Sequence, residues 1–98
     1  NMADGILICE GKSNEQWNYS APHGAGRLMS RREAKEKISL KEFQKIMKDK
    51  NIFSTSVQGS TLDEAPQAYK NSDFIEKAIE PTAEILFRLK PLYNLKSA

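Results

Sequence analysis

One cysteine and one histidine are all that the 98 residues offer toward thiol, disulfide or zinc chemistry. Cys9 has no partner for an internal disulfide, which points to a reducing compartment and a cytoplasmic setting. A lone histidine and a lone cysteine cannot supply a zinc-type site, so no metal ligands are expected within this chain. No apolar run approaches the roughly 18 residues that span a bilayer, and no membrane role is expected. The first residues lack the basic start and apolar stretch of a signal peptide. A strong charge of one sign is lacking too, because the net charge is only +2. Hydrophobic residues make up 39% and charged residues 29%, as in an ordinary globular protein. The length fits one small domain with a thin core.

What is present is punctuated by local signals. Asn1-Met2-Ala3-Asp4 shows no cap pattern. Ile6-Leu7-Ile8-Cys9 are four consecutive apolar residues, which predicts a strand at about 5–10 buried on both faces. Cys9 is then expected to pack in the core rather than to ligate. Such a strand needs neighbours on both sides, as if the chain were cut from a larger sheet. Ser30 with Glu33, Ser39 with Glu42, and Thr61 with Glu64 fit the S/T-x-x-E capping box. They predict helices at about 31–37 and 40–48, and a short turn or helix at about 62–65 stopped by Pro66. Leu40, Phe43, Ile46 and Met47 give the second helix one apolar face. Residues 52–57 are rich in β-formers and read as a short strand. Ser72 is the expected cap of a helix at about 73–80 that ends at Pro81. From Ala83 on, Ile85, Phe87, Leu89, Tyr93 and Leu95 alternate with Glu84, Arg88, Lys90, Asn94 and Lys96, which predicts a strand over 84–95 broken at Pro91. Leu86 and Leu92 spoil the alternation and leave a helix across 82–90 open. The fold class expected is α+β.

Residues 11–30 have loop composition, with three glycines and a proline, yet they hold Trp17 and Tyr19. A loop of this length that carries aromatics is better read as functional than as disordered. Within it lies the only histidine, His23, followed by Gly24, Ala25 and Gly26, whose small side chains let backbone amides approach a ligand. Arg27, Arg31, Arg32, Lys35 and Lys37 then crowd into eleven positions with two acids, Glu33 and Glu36. That is the electrostatic footprint a phosphate backbone requires, and equally a solvated helix face with pairs such as Arg32–Glu36. Small residues, amides and guanidinium groups together describe a phosphate site. A histidine there can serve as general acid or base, or attack phosphorus as a neutral imidazole; a Gly-rich turn with an incidental histidine is the plain alternative. The glycine spacing fits neither the dinucleotide nor the P-loop fingerprint.

The run Trp17-Asn18-Tyr19-Ser20-Ala21-Pro22-His23-Gly24-Ala25-Gly26-Arg27-Leu28-Met29-Ser30-Arg31 closely resembles the signature of the RtcB RNA-splicing ligase family. Gly11-Lys12, Ser54-Thr55, Asp63-Glu64-Ala65-Pro66, Ala68-Tyr69-Lys70 and Tyr93-Asn94-Leu95-Lys96 extend the resemblance over nearly the whole chain. It implies the C-terminal portion of an RtcB-like α/β catalytic domain over 1–98, incomplete on its own. It implies GTP and manganese as cofactors. The reaction would join RNA ends bearing a 3′-phosphate or 2′,3′-cyclic phosphate to 5′-hydroxyl ends. By the resemblance His23 is the guanylyl carrier, and Gly24, Ala25 and Gly26 line the GMP phosphate. Arg27 and Arg31 hold RNA phosphate, Tyr69 packs on guanine and Lys96 contacts the base.

The family's metal ligands, an aspartate, a cysteine and several histidines, belong to upstream sequence. Cys9 and His23 do not replace them, so the isolated chain is expected to be inactive. The turn Asn1-Met2-Ala3-Asp4-Gly5 departs from the family's Gly-Ser-Met-Gly-Thr-like turn, and no GMP contact is carried over to residues 1–4. An archease-like activator and self-association through exposed strand edges are further expectations. The alternatives are a phosphate- or RNA-binding module without catalysis, and a repair paralogue linked to release-factor rescue.

Overall fold

The helix α2, Leu40–Asp49, shows how this sequence builds its core. The Ser39 hydroxyl accepts the Glu42 amide at 3.1 Å and starts the helix, a cap worth about 1 kcal/mol. Phe43 and Met47, one turn apart, are buried. The preceding helix α1, Arg31–Lys37, is capped in the same way by Ser30 and buries Ala34. Around these side chains close Met2, Ala3, Ile38, Ile52, Leu62, Ala65 and Ala68. The computed structural model describes residues 1–97, and the architecture is α+β. The remaining elements are β1 (Ile6–Gly11), β2 (Phe53–Ser54), α3 (Ser72–Ile79), β3 (Ala83–Leu89) and β4 (Tyr93–Asn94). Among the described residues no helix is long and apolar enough to cross a membrane.

The strands form two separate pairs. β1 runs antiparallel to β3, with Ile6 opposite Leu89 and Ile8 opposite Phe87. β2 and β4 pair in parallel, Phe53 with Tyr93 and Ser54 with Asn94. The tail alternation was therefore a strand signal, and the helix across 82–90 does not form. The predicted single strand over 84–95 is two strands. The chain breaks around Pro91, which has no amide to donate to a ladder. Gly5 turns into β1 at φ +86°, and a side chain there would collide with the Leu89 carbonyl and the Pro91 ring.

Several local expectations are corrected. Strand β1 is not buried on both faces: five of its six residues are exposed, and Cys9 is an exposed thiol rather than a core residue. The cause is a ribbon with a single strand pair and one largely uncovered face, where Ile6, Ile8, Phe87 and Leu89 stand 42–65% exposed. The strand predicted over 52–57 pairs only at Phe53–Ser54. The Ser54 hydroxyl accepts the Ser56 amide, and this local bond turns the backbone away from the ladder. Thr61 does not cap a helix at 62–65. It lies inside a 3-10 segment, Gly59–Glu64, where its hydroxyl donates to the Ser56 carbonyl. The cap of α3 is Asn71, not Ser72. Asn1, unread as a cap, accepts the amides of Ala3 and Asp4 at 2.9 Å, which folds Met2 back into the core.

Candidate functional site

The loop between β1 and α1 is held at both ends and loose between them. At its start the Lys12 amide donates to the Thr82 carbonyl at 2.9 Å, and the Asn14 amide group donates to the Pro81 carbonyl at 2.9 Å. A 3-10 turn, Glu15–Trp17, follows. Asn18 and Tyr19 then adopt left-handed backbone at φ 54° and 56°, uncommon for a bulky tyrosine. From Ala21 to Ala25 no hydrogen bond forms with any described residue. His23 and Gly24 are exposed, and Ala25 is half-buried.

Order returns at Gly26. Its carbonyl accepts the Lys70 amide at 3.1 Å, and the Leu28 amide donates to the Ala68 carbonyl at 2.9 Å. These bonds place Arg27 opposite Tyr69 in an antiparallel bridge. Gly26 sits at φ +70°, with the Lys70 side chain 3.4 Å from where a Cβ would lie. The positive φ favours glycine there, while the Lys70 side chain lies only at ordinary contact distance.

The two arginines assigned to RNA phosphate differ in commitment. The Arg27 guanidinium lies 5.0 Å from the Tyr69 ring centroid, within cation–π range. Its Nε donates to the Met29 carbonyl at 3.1 Å and its Nη2 to the Asp63 carbonyl at 2.5 Å. Its Nη1 is buried without a partner among the described residues. Arg31 is 60% exposed and is held through one nitrogen only. Its Nη1 meets Asp63 Oδ2 at 2.8 Å and Glu64 Oε1 at 2.7 Å. Both carboxylates raise the affinity of the Arg31 guanidinium for its proton, Glu64 foremost.

Glu64 is the hub. Its Oε2 accepts the Tyr69 hydroxyl at 2.5 Å and lies 3.9 Å from Lys96 Nζ. Burial pushes the Glu64 carboxyl up. The hydrogen bonds from Arg31 and Tyr69 and the nearby Lys96 outweigh it and hold the group below the usual glutamate range. The Tyr69 phenol is pushed up by burial and by the Glu64 carboxylate, against the pull of Arg27 and Arg31. Lys96 is no frayed terminal residue: its amide donates to the Ser56 hydroxyl at 2.8 Å, and that hydroxyl donates back to the Lys96 carbonyl.

Arg27, Arg31, Tyr69 and Lys96 are thus brought together around Asp63 and Glu64. His23, Gly24 and Ala25 are joined to that group only along the chain. Three residues separate His23 from Arg27, four chain steps with a reach of at most roughly 14 Å. Tyr69 and Lys70 also line a cleft of about 320 Å³, with Leu28, Gln67, Asn1 and Asp4 among its walls. Asp63, Glu64 and Lys70 were not among the site residues expected from the sequence. The signal was present in paired acids facing an arginine-rich stripe, but Glu64 was absorbed into a capping pattern. Among the described residues no group of three histidine, cysteine or acidic side chains could hold a metal ion.

An α+β chain that sets cations and an aromatic ring around paired carboxylates has the equipment of a nucleotide- or nucleic-acid-binding protein, cations for phosphate and a ring for a base. A family model described as tRNA-splicing ligase RtcB matches residues 1–97. The chain is 34% identical over 90 residues to the tRNA-splicing ligase RtcB of Archaeoglobus fulgidus, covering 89% of this chain and 19% of that protein. It is 32% identical over 96 residues to the RNA-splicing ligase RtcB of Escherichia coli strain K12, covering 98% and 23%. Against the tRNA-splicing ligase RtcB of Aeropyrum pernix the identity is 30% over 97 residues, covering 94% and 20%. The chain belongs to the RtcB family. It spans about a fifth of the length of these relatives.

Proposed function

We propose that this chain is the guanylyl-carrying and phosphate-holding portion of an RNA ligase. The ligase uses GTP and manganese to join a 3′-phosphate or 2′,3′-cyclic phosphate RNA end to a 5′-hydroxyl end. The observation that carries the reading is the convergence of Arg31, Tyr69 and Lys96 on one carboxylate, bridged by Gly26–Leu28 to the loop that bears His23.

In this reading a neutral His23 nitrogen attacks the α-phosphorus of GTP, and the bond to pyrophosphate breaks. The imidazole carries GMP and passes it to the RNA 3′-phosphate; the 5′-hydroxyl oxygen then attacks that phosphorus and GMP leaves. An exposed histidine on an unbonded segment is able to meet two partners in turn. Gly24, Ala25 and Gly26 line the GMP phosphate with backbone amides. Tyr69 packs on the guanine and Lys96 contacts the base, beside a cleft at the small end of the ligand-site range. Arg27 and Arg31 serve RNA phosphate, Arg27 by fixing the bridge and Arg31 by offering its exposed fork. Among the described residues no set fits manganese; in this reading its ligands belong to the rest of the longer protein. Chain 1–98 alone is expected to be inactive, and GTP-dependent self-guanylylation of that fragment would overturn the expectation. A cytoplasmic location and an archease-like activator accompany the family reading.

The test is transfer of label from α-labelled GTP to the full-length protein. Label is expected on the wild type and absent from His23→Ala; label retained in that variant removes His23 as the acceptor. The second reading, a phosphate- or RNA-binding module without catalysis, draws on the exposed Arg31 fork and the basic stripe. It predicts salt-sensitive RNA binding with no label transfer.

A further inference from the structure

The function proposed above needs a cation that meets phosphate, a ring that meets a base and a lysine beside them. It gives no part to the acid they share. Arg31 is long and exposed, and fixing such a side chain on binding costs conformational entropy. Here it is ordered beforehand. Asp63 and Glu64 both grip Nη1, and Nε and Nη2 have no partner among the described residues. A guanidinium binds phosphate best through two parallel N–H groups on one edge, and the Nε–Nη2 edge is the one left open. The same Glu64 carboxylate fixes the Tyr69 hydroxyl through its other oxygen, with Lys96 in ion-pair range. The gripping carboxylates are 15–16% exposed, so water competes weakly for them.

We propose that Glu64, seconded by Asp63, is a positioning residue. It anchors Arg31 by one nitrogen so that the opposite edge faces a terminal RNA phosphate, and holds Tyr69 and Lys96 in register with it. The inference rests on the reading of Arg31 as an RNA-phosphate contact. It adds that the acid raises phosphate affinity rather than competing with the phosphate for Arg31. Arg27 has no such freedom, because two of its nitrogens are spent on carbonyls and the third is buried.

The experiment uses the full-length protein and two RNA oligonucleotides that differ only in a 3′-phosphate or 3′-hydroxyl end. The ratio of their Kd values measures the contribution of the terminal phosphate. Glu64→Gln keeps an acceptor for Tyr69 and removes the charge. It is expected to cut the ratio by about tenfold, the size of a typical coupling between contacting residues, while circular dichroism stays near wild type. Glu64→Asp is expected to recover part of the ratio. Arg31→Ala should lose the preference, and adding Glu64→Gln to it should cost nothing more. An unchanged ratio in Glu64→Gln, a raised one, or full additivity with Arg31→Ala overturns the proposal. If wild type shows no 3′-phosphate preference, both this inference and the Arg31 assignment fall. If the coupling is found but His23→Ala keeps the GMP label, the catalytic reading of His23 falls and the role of Glu64 stands.

Discussion

Residues 18–24 and residues 26–31 are adjacent in the chain and opposite in circumstance. The first stretch includes exposed His23 and, from Ala21 on, makes no hydrogen bond to the described residues. The second is bridged to Ala68–Lys70, stacked on Tyr69 and tied to Asp63 and Glu64. In the function proposed above, the contrast separates two jobs. A group that carries a ligand between partners must be movable, and low local contact density supplies that. A group that holds phosphate in place works best when ordered before the ligand arrives. Gly26, at φ +70°, is the joint between the two regimes.

The sharpest way to break the comparison is to remove the support of the anchored half. Phe43 is fully buried in the core on which Tyr69 packs. Phe43→Ala is expected to cost about 3–5 kcal/mol, read as a lowered urea midpoint of the full-length protein. A next, smaller effect separates the arginines. Arg27→Ala should cost about 1–3 kcal/mol, because it strips the cation–π contact and two carbonyl partners. Arg31→Ala, at a solvent-exposed site, should lower the midpoint less than Arg27→Ala does. Equal losses would show that the two are not differently committed.

Acid titration sharpens the same point. The carboxyl of Glu64 is held below its ordinary range in the folded chain. Its contribution is therefore fully present above the ordinary glutamate pKa and is lost as pH falls through the lower folded value. Glu64→Gln should flatten that part of the stability–pH curve; an unchanged curve would contradict the hub. The smallest effect is expected in the loose half: Ala21→Gly should move the unfolding midpoint by less than about 0.5 kcal/mol. A larger loss would mean that the loop is anchored after all.

Much of the fold was legible because its signals are local. The Ser30 and Ser39 caps, the apolar face of α2 and the tail alternation depend on residues a few positions apart, and the backbone follows them. The misreadings share a cause. Ile6–Cys9 looked buried because apolar runs usually are, yet burial depends on what lies across the ribbon. Thr61 and Glu64 looked like a capping pair, but Thr61 bonds backward to Ser56 while Glu64 faces partners 32 and 33 positions away in Lys96 and Arg31.

By itself the sequence determined the α+β class, the capped helices, the long loop with its single histidine and the motif that marks the family. These follow from spacing and residue type, which are one-dimensional properties. Only the tertiary structure decided which of the marked residues touch. It drew Arg31, Tyr69 and Lys96 onto Glu64 and left His23 apart, because a carboxylate two-thirds of the way along the chain is the nearest opposite charge once the core has closed.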